Sequence, residues 1–117
     1  MSKLYRVSDY LAHILGAIER IDRYTKDLDD VGFLHNELVQ DAVIRNIEVI
    51  GEASNKIMRT APDFAARHKE IPWLVMYTMR NRLSHGYDRV DFEIVWRLIK
   101  RDLPDLHARL RSVTASE

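Results

Sequence analysis

Apolar residues recur at helical spacing along almost the whole chain, and clean two-residue alternation is hard to find. Val7, Leu11, Ile14, Leu15, Ile18 and Ile21 follow one another in steps of 4, 3, 1, 3 and 3. That spacing predicts an amphipathic helix over about 8–27, with Ser8 as its N-cap. Beyond Asp29, Asp30 and Gly32, the apolar positions Leu38, Val39, Ala42, Val43, Ile47, Ile50, Ala53 and Ile57 form a stripe wide enough for the central helix of a bundle. Thr60, Ala61 and Pro62 break that pattern, and Asp63 to His68 reads as a short helix. Pro72, preorganised for a first helical turn, opens a further segment running from Trp73 to His85. The last helix begins near Val90-Asp91, with Asp91 as N-cap, and carries Ile94, Val95, Leu98, Ile99, Leu103, Leu106 and Leu110. Pro104 is expected to kink it, and the tail is expected to fray after Arg111. The prediction is an all-α antiparallel bundle of about four long helices plus a short one, in a single domain over residues 1–117.

Composition narrows the function. The chain has 117 residues, 46% of them hydrophobic and 31% charged, which suits one soluble globular domain. Eighteen basic residues balance eighteen acidic ones, so coating nucleic acid or an anionic membrane by bulk charge is excluded. Any contact with an anion must be local, and residues 80–111, with 8 basic and 5 acidic side chains, are the segment for it. With no cysteine there is no disulfide, zinc ribbon, thiolate nucleophile or iron–sulfur cluster. No apolar run approaches the roughly 18–20 residues that cross a bilayer, so a soluble, unexported, cytoplasmic protein is expected.

The chemistry concentrates in Met79-Arg80-Asn81-Arg82-Leu83-Ser84-His85-Gly86-Tyr87. At about 100° per residue, Arg80, Tyr87, Ser84, Asn81 and His85 share one broad face, and Val75, Met76, Met79 and Leu83 fall opposite, as an anchor in the core. Arg80 offers a fixed charge and a fork of donors that fits a phosphate, while imidazole, as in His85, titrates near neutrality. These are the groups that phosphodiester cleavage by a ribose 2′-hydroxyl requires: one to move protons and one to stabilise the pentacoordinate transition state. Spacing places them about 140° apart on the helix, which points to a composite site completed by a local helix end or a second subunit. A purely structural reading stands beside this one. His85-Gly86 suits a helix C-terminus, Arg80 has Glu48, Glu52 or Asp88 to pair with, and Tyr87 serves equally as a packing residue.

The run Arg80-Asn81-Arg82-Leu83-Ser84-His85-Gly86-Tyr87 resembles the R-x4-H-x-Y signature of the HepT-like toxins, within the HEPN superfamily of small helical ribonucleases. The resemblance extends to Arg45-Asn46-Ile47-Glu48-Val49-Ile50-Gly51-Glu52-Ala53, to Pro72-Trp73, and to the stretch from Val90-Asp91 through Leu103-Pro104. It implies a metal-independent endoribonuclease toxin without cofactor, a homodimer whose motif helices line one RNA-binding cleft. By the same resemblance Arg80 and His85 are catalytic, Asn81 and Ser84 support the site, and Glu48 and Glu52 lie near the cleft. It further implies a minimal nucleotidyltransferase antitoxin that transfers AMP onto Tyr87.

Other functions find less in the sequence. A di-iron bundle needs Glu-x-x-His pairs, which are absent, and His13, His35, His68 and His107 share no spacing and read as surface or interface residues. Ser84 has no strand-turn-helix elbow around it and no identifiable acidic partner for hydrolase chemistry. The main alternative is a noncatalytic helical module that binds a nucleotide or a nucleotidyltransferase.

Overall fold

The computed structural model describes residues 6–83 and 89–116. Its regular elements are helices: α1 (Val7–Thr25), α2 (Asp30–Leu34), α3 (Glu37–Thr60), α4 (Pro62–Arg67), α5 (Trp73–Arg82), α6 (Phe92–Arg97) and α7 (Leu103–Ser116). A π-helical turn, Leu98–Asp102, joins α6 to α7. The expected all-α bundle is the fold found. At its centre lies α3, packed against α1 on one side and α5 on another, while α7 packs against α1.

Local chemistry explains most of the element ends. Asn36 Oδ1 accepts from Val39 N at 3.0 Å to start α3, and Asp91 Oδ1 accepts from Glu93 N at 3.0 Å and Ile94 N at 3.4 Å to start α6, the cap expected there. Ser8 is not the cap of α1. The helix starts a residue earlier, behind Arg6, because the Asp9 carboxylate reaches back to accept from Arg6 N at 2.8 Å, leaving Ser8 inside the first turn. The short helix α2 was not anticipated. Asp29 caps it by accepting from Gly32 N at 2.7 Å, and it buries Phe33 against the rings of Phe92 and Trp96, with centroids 6.0 and 5.3 Å away.

The disturbance expected at Pro104 takes the form of the π turn just before it. Proline has no N–H for the carbonyl four residues back, and the backbone widens so that Leu103 N–H donates to Leu98 O. The fraying expected after Arg111 does not occur: α7 continues to Ser116 because Val113 is buried and holds the last turns to the core. Buried polar groups on α3 are satisfied. Gln40 Nε2 donates to Phe33 O at 2.9 Å, and Asn46 accepts from Arg20 Nε at 2.8 Å while donating to Ala42 O at 2.8 Å. The Arg20–Asn46 pair ties α1 to α3 with charge assistance. None of the described helices is long and apolar enough to cross a membrane.

Candidate functional site

The motif arginine sits on α5, whose position is set by backbone contacts to α3. Gly51 makes the approach possible: a Cβ there would lie 3.1 Å from Tyr77 O and 3.4 Å from Met76 O. One turn further along α3, fully buried Ser54 donates from its hydroxyl to Trp73 O at 2.7 Å, and Trp73 Nε1 donates to His68 O at 3.2 Å. The first turn of α5 is thereby fixed in height and rotation. Gly51 stands out in the sequence only within the stretch that carries the family resemblance, and Ser54 gives no signal there because a lone serine in a helix carries no distinguishing pattern.

This docking turns α5 away from the rotation that its apolar pattern suggested. Met76, Met79 and Leu83 are buried as expected, but Val75 is 42% exposed and lies outside the core. Leu74 and Tyr77, at 63% and 45% exposed, share the solvent side with Asn81. Arg80 is half-buried rather than centred on an open polar face, because Trp73 and Met76, about two turns and one turn before it, face the bundle.

Arg80 lies in the last turn of α5, where the carbonyl end of the helix favours a cation. Its Nε is buried and has no hydrogen-bond partner among the described residues. A buried donor left without an acceptor costs about 1–3 kcal/mol, so the site favours any anion that brings an oxygen to it. The helix ends two residues later. Leu83 N–H turns back to the carbonyls of Arg80 and Asn81, and Leu83 O accepts from Asp91 N at 2.8 Å. Leu83 and Asp91 are thus joined to each other, and the second of these caps α6.

Ser84, His85 and Tyr87 lie outside the described residues. Glu48 and Glu52 stand on α3 on either side of Gly51, both exposed. Among the described residues neither forms an ion pair with Arg45 or with Arg80. Of the remaining histidines, His107 Nε2 lies 2.8 Å from Glu19 Oε2, His35 Nδ1 lies 2.9 Å from Val31 O, and His68 stacks near Phe64 beside Glu70. They are dispersed surface or half-buried residues, and none is within the motif.

The HepT-like family, described as Ribonuclease HepT-like, matches residues 14–113. A protein of Thermococcus cleftensis named "Probable ribonuclease HepT" is 41% identical over 90% of this chain and 93% of its own length. A "Putative RNase" of Methanocaldococcus jannaschii is 35% identical over 92% of this chain and 95% of its own. A second protein of that organism, named as a gamma-glutamylcyclotransferase and putative RNase, is 39% identical over 92% of this chain, which spans only 47% of it. No solved structure matches the chain.

Proposed function

We propose that this chain, which belongs to the HepT-like ribonuclease family, is the RNA-cleaving toxin of a toxin–antitoxin pair, a metal-independent endoribonuclease working in the cytoplasm as a homodimer. The observation that carries the reading is Arg80, half-buried at the end of α5 with a buried Nε that no described residue satisfies. A phosphodiester oxygen supplies the missing acceptor, and the guanidinium then faces the charge that grows on the phosphoryl oxygens in the transition state.

The chemistry follows from RNA itself. The ribose 2′-hydroxyl attacks the adjacent phosphorus, the bond to the 5′-oxygen breaks, and a 2′,3′-cyclic phosphate and a free 5′-hydroxyl result. His85 moves the proton at one of these oxygens, and the second subunit supplies the complementary group. Asn81 and Ser84 order the site. Glu48 and Glu52 support it from α3 and take no direct part, since a carboxylate facing the phosphate repels it. The exposed Leu74 and Tyr77, on the same side of α5 as Asn81, support a dimer in which the two motif helices meet.

Control comes through Tyr87. A nucleotidyltransferase antitoxin transfers AMP to its phenol, adding a negative phosphodiester and an adenosine that engage Arg80 and obstruct RNA without unfolding the protein. The test compares the wild type with Arg80→Ala and His85→Ala on RNA in the presence of chelator, after mass measurement shows Tyr87 unmodified. Cleavage is expected to fall roughly 100-fold or more in each variant. Equal behaviour of all three proteins sinks the nuclease reading and leaves a noncatalytic binding module. Co-expression with the transferase should add whole AMP units to the wild type and none to Tyr87→Phe.

A further inference from the structure

On the flank of α5 away from Leu74 and Tyr77 lies a groove of about 630 Å³, walled by α5 on one side and by α6, the π turn and α7 on the other. Among the described residues its lining includes Val75, Met76, Met79, Leu83, Ile94, Leu98 and Leu106 and no aromatic ring. Four arginines among the described residues, Arg82, Arg97, Arg101 and Arg109, line it against two carboxylates, Asp102 and Asp105. Arg109 is occupied by Asp105 at 3.1 Å and by Glu70 O at 3.0 Å. Among the described residues, Arg97 and Arg101 form neither an ion pair nor a hydrogen bond. An aliphatic floor with spare guanidinium groups fits apolar side chains accompanied by carboxylates. It fits nucleobases less well, because they gain most from aromatic platforms.

A surface of that chemistry exists on the same polypeptide. Residues 27–41 carry Asp27, Asp29, Asp30, Glu37 and Asp41 and no lysine or arginine. Two large apolar side chains, Val31 at 59% and Leu38 at 81% exposure, project from this corner where α2 meets the first turn of α3. Within one molecule the corner and the groove lie on different faces of α6. Phe92 and Trp96 on α6 face α2 through Phe33, whereas Ile94 and Arg97, roughly half a turn round, face the groove.

We propose that the arginine-lined groove receives the acidic α2–α3 corner of a second copy of this chain, in a head-to-tail contact. Val31 and Leu38 enter toward the aliphatic floor, and Glu37 and Asp41 meet Arg97 and Arg101. The contact joins two different surfaces, so it leaves a free groove at one end and a free corner at the other, and continues until a ring closes. It is separate from the meeting of motif helices, and it does not depend on the nuclease reading.

The test uses two charge-reversed variants, Arg97→Glu/Arg101→Glu and Glu37→Arg/Asp41→Arg. All four side chains are exposed, and unchanged helical content and melting temperature check that each variant folds. Sedimentation at low salt over a range of concentrations should show wild-type mass rising above that of either variant alone. The dissociation constant of the contact should increase at least about tenfold in each variant. An equimolar mixture of the two variants pairs each reversed groove with a reversed corner and should regain the larger species, and raised salt should weaken every such assembly. Wild-type mass no greater than that of the variants at any concentration overturns the proposal. So does a mixture that stays at the variants' size, because the groove then serves some other acidic partner.

Discussion

Replacing Gly51 by alanine tests the contact that places the motif helix. In a helix interior alanine is favoured over glycine by about 1 kcal/mol, so propensity alone predicts stabilisation. The new methyl group, however, meets Tyr77 O at 3.1 Å and Met76 O at 3.4 Å, and both are backbone atoms. They have little freedom to retreat, because Ser54 holds Trp73 O at 2.7 Å and the buried Met76 and Met79 hold the rest of α5. Forcing extra volume into such a seam costs about 1–3 kcal/mol. The net effect of Gly51→Ala is therefore a loss of about 1 kcal/mol, or about 4 °C in melting temperature for a chain of this size. Gly16→Ala is the control. There the added carbon meets only the tip of the Arg20 side chain, at 3.4 Å, an ordinary van der Waals contact that leaves the bond from Arg20 Nε to Asn46 in place, so the propensity gain survives and the protein gains up to about 1 kcal/mol. Denaturant titration of both variants, with the slope checked against wild type, reads out the two signs. If Gly51→Ala matches or exceeds wild-type stability while Gly16→Ala behaves as stated, α5 slides freely on α3. The argument that backbone contact fixes Arg80 then fails.

Two further outcomes follow. Leu74→Asp places a charge on the exposed side of α5 and should leave stability within about 0.5 kcal/mol while separating motif-helix dimers and abolishing cleavage; an intact dimer by sedimentation refutes that interface. The Glu70 carboxyl is held below the usual carboxylate range, first by a hydrogen bond from its own backbone and then by His68 and Arg109. Since its folded value is the lower one, the stability it contributes is complete above the ordinary value of 4.5 and is lost as pH falls through the depressed value. Glu70→Gln should remove that part of the acid transition, and an acid titration identical to wild type refutes it.

Much of the architecture was legible because helix formation is a local affair. The spacing of Val43, Ile47, Ile50 and Ile57 marks the buried face of α3, and Asp91 names the start of α6, since both signals act within a turn or two. The motif itself, with Arg80 in it, could be picked out by residue type alone. What residue type does not contain is rotation. Apolar periodicity assigns Val75 to the core and Arg80 to an open face, yet α5 is oriented by Gly51 and Ser54, residues 19 or more positions from the groups they touch, through contacts with backbone oxygens that every sequence possesses. Burial of Val113 likewise keeps the tail helical where its polar neighbours suggest fraying, whereas the shift of the first cap from Ser8 to Arg6 is local, the Asp9 carboxylate accepting from Arg6 N three residues back. The sequence determined which segments are helices and which side chains hold reactive groups. Tertiary packing decided which way the motif helix faces, left one guanidinium nitrogen of Arg80 buried without an acceptor among the described residues, and gathered Arg82, Arg97, Arg101 and Arg109 from four elements along one groove. Backbone approach and burial are properties of pairs of distant segments, and no local pattern encodes them.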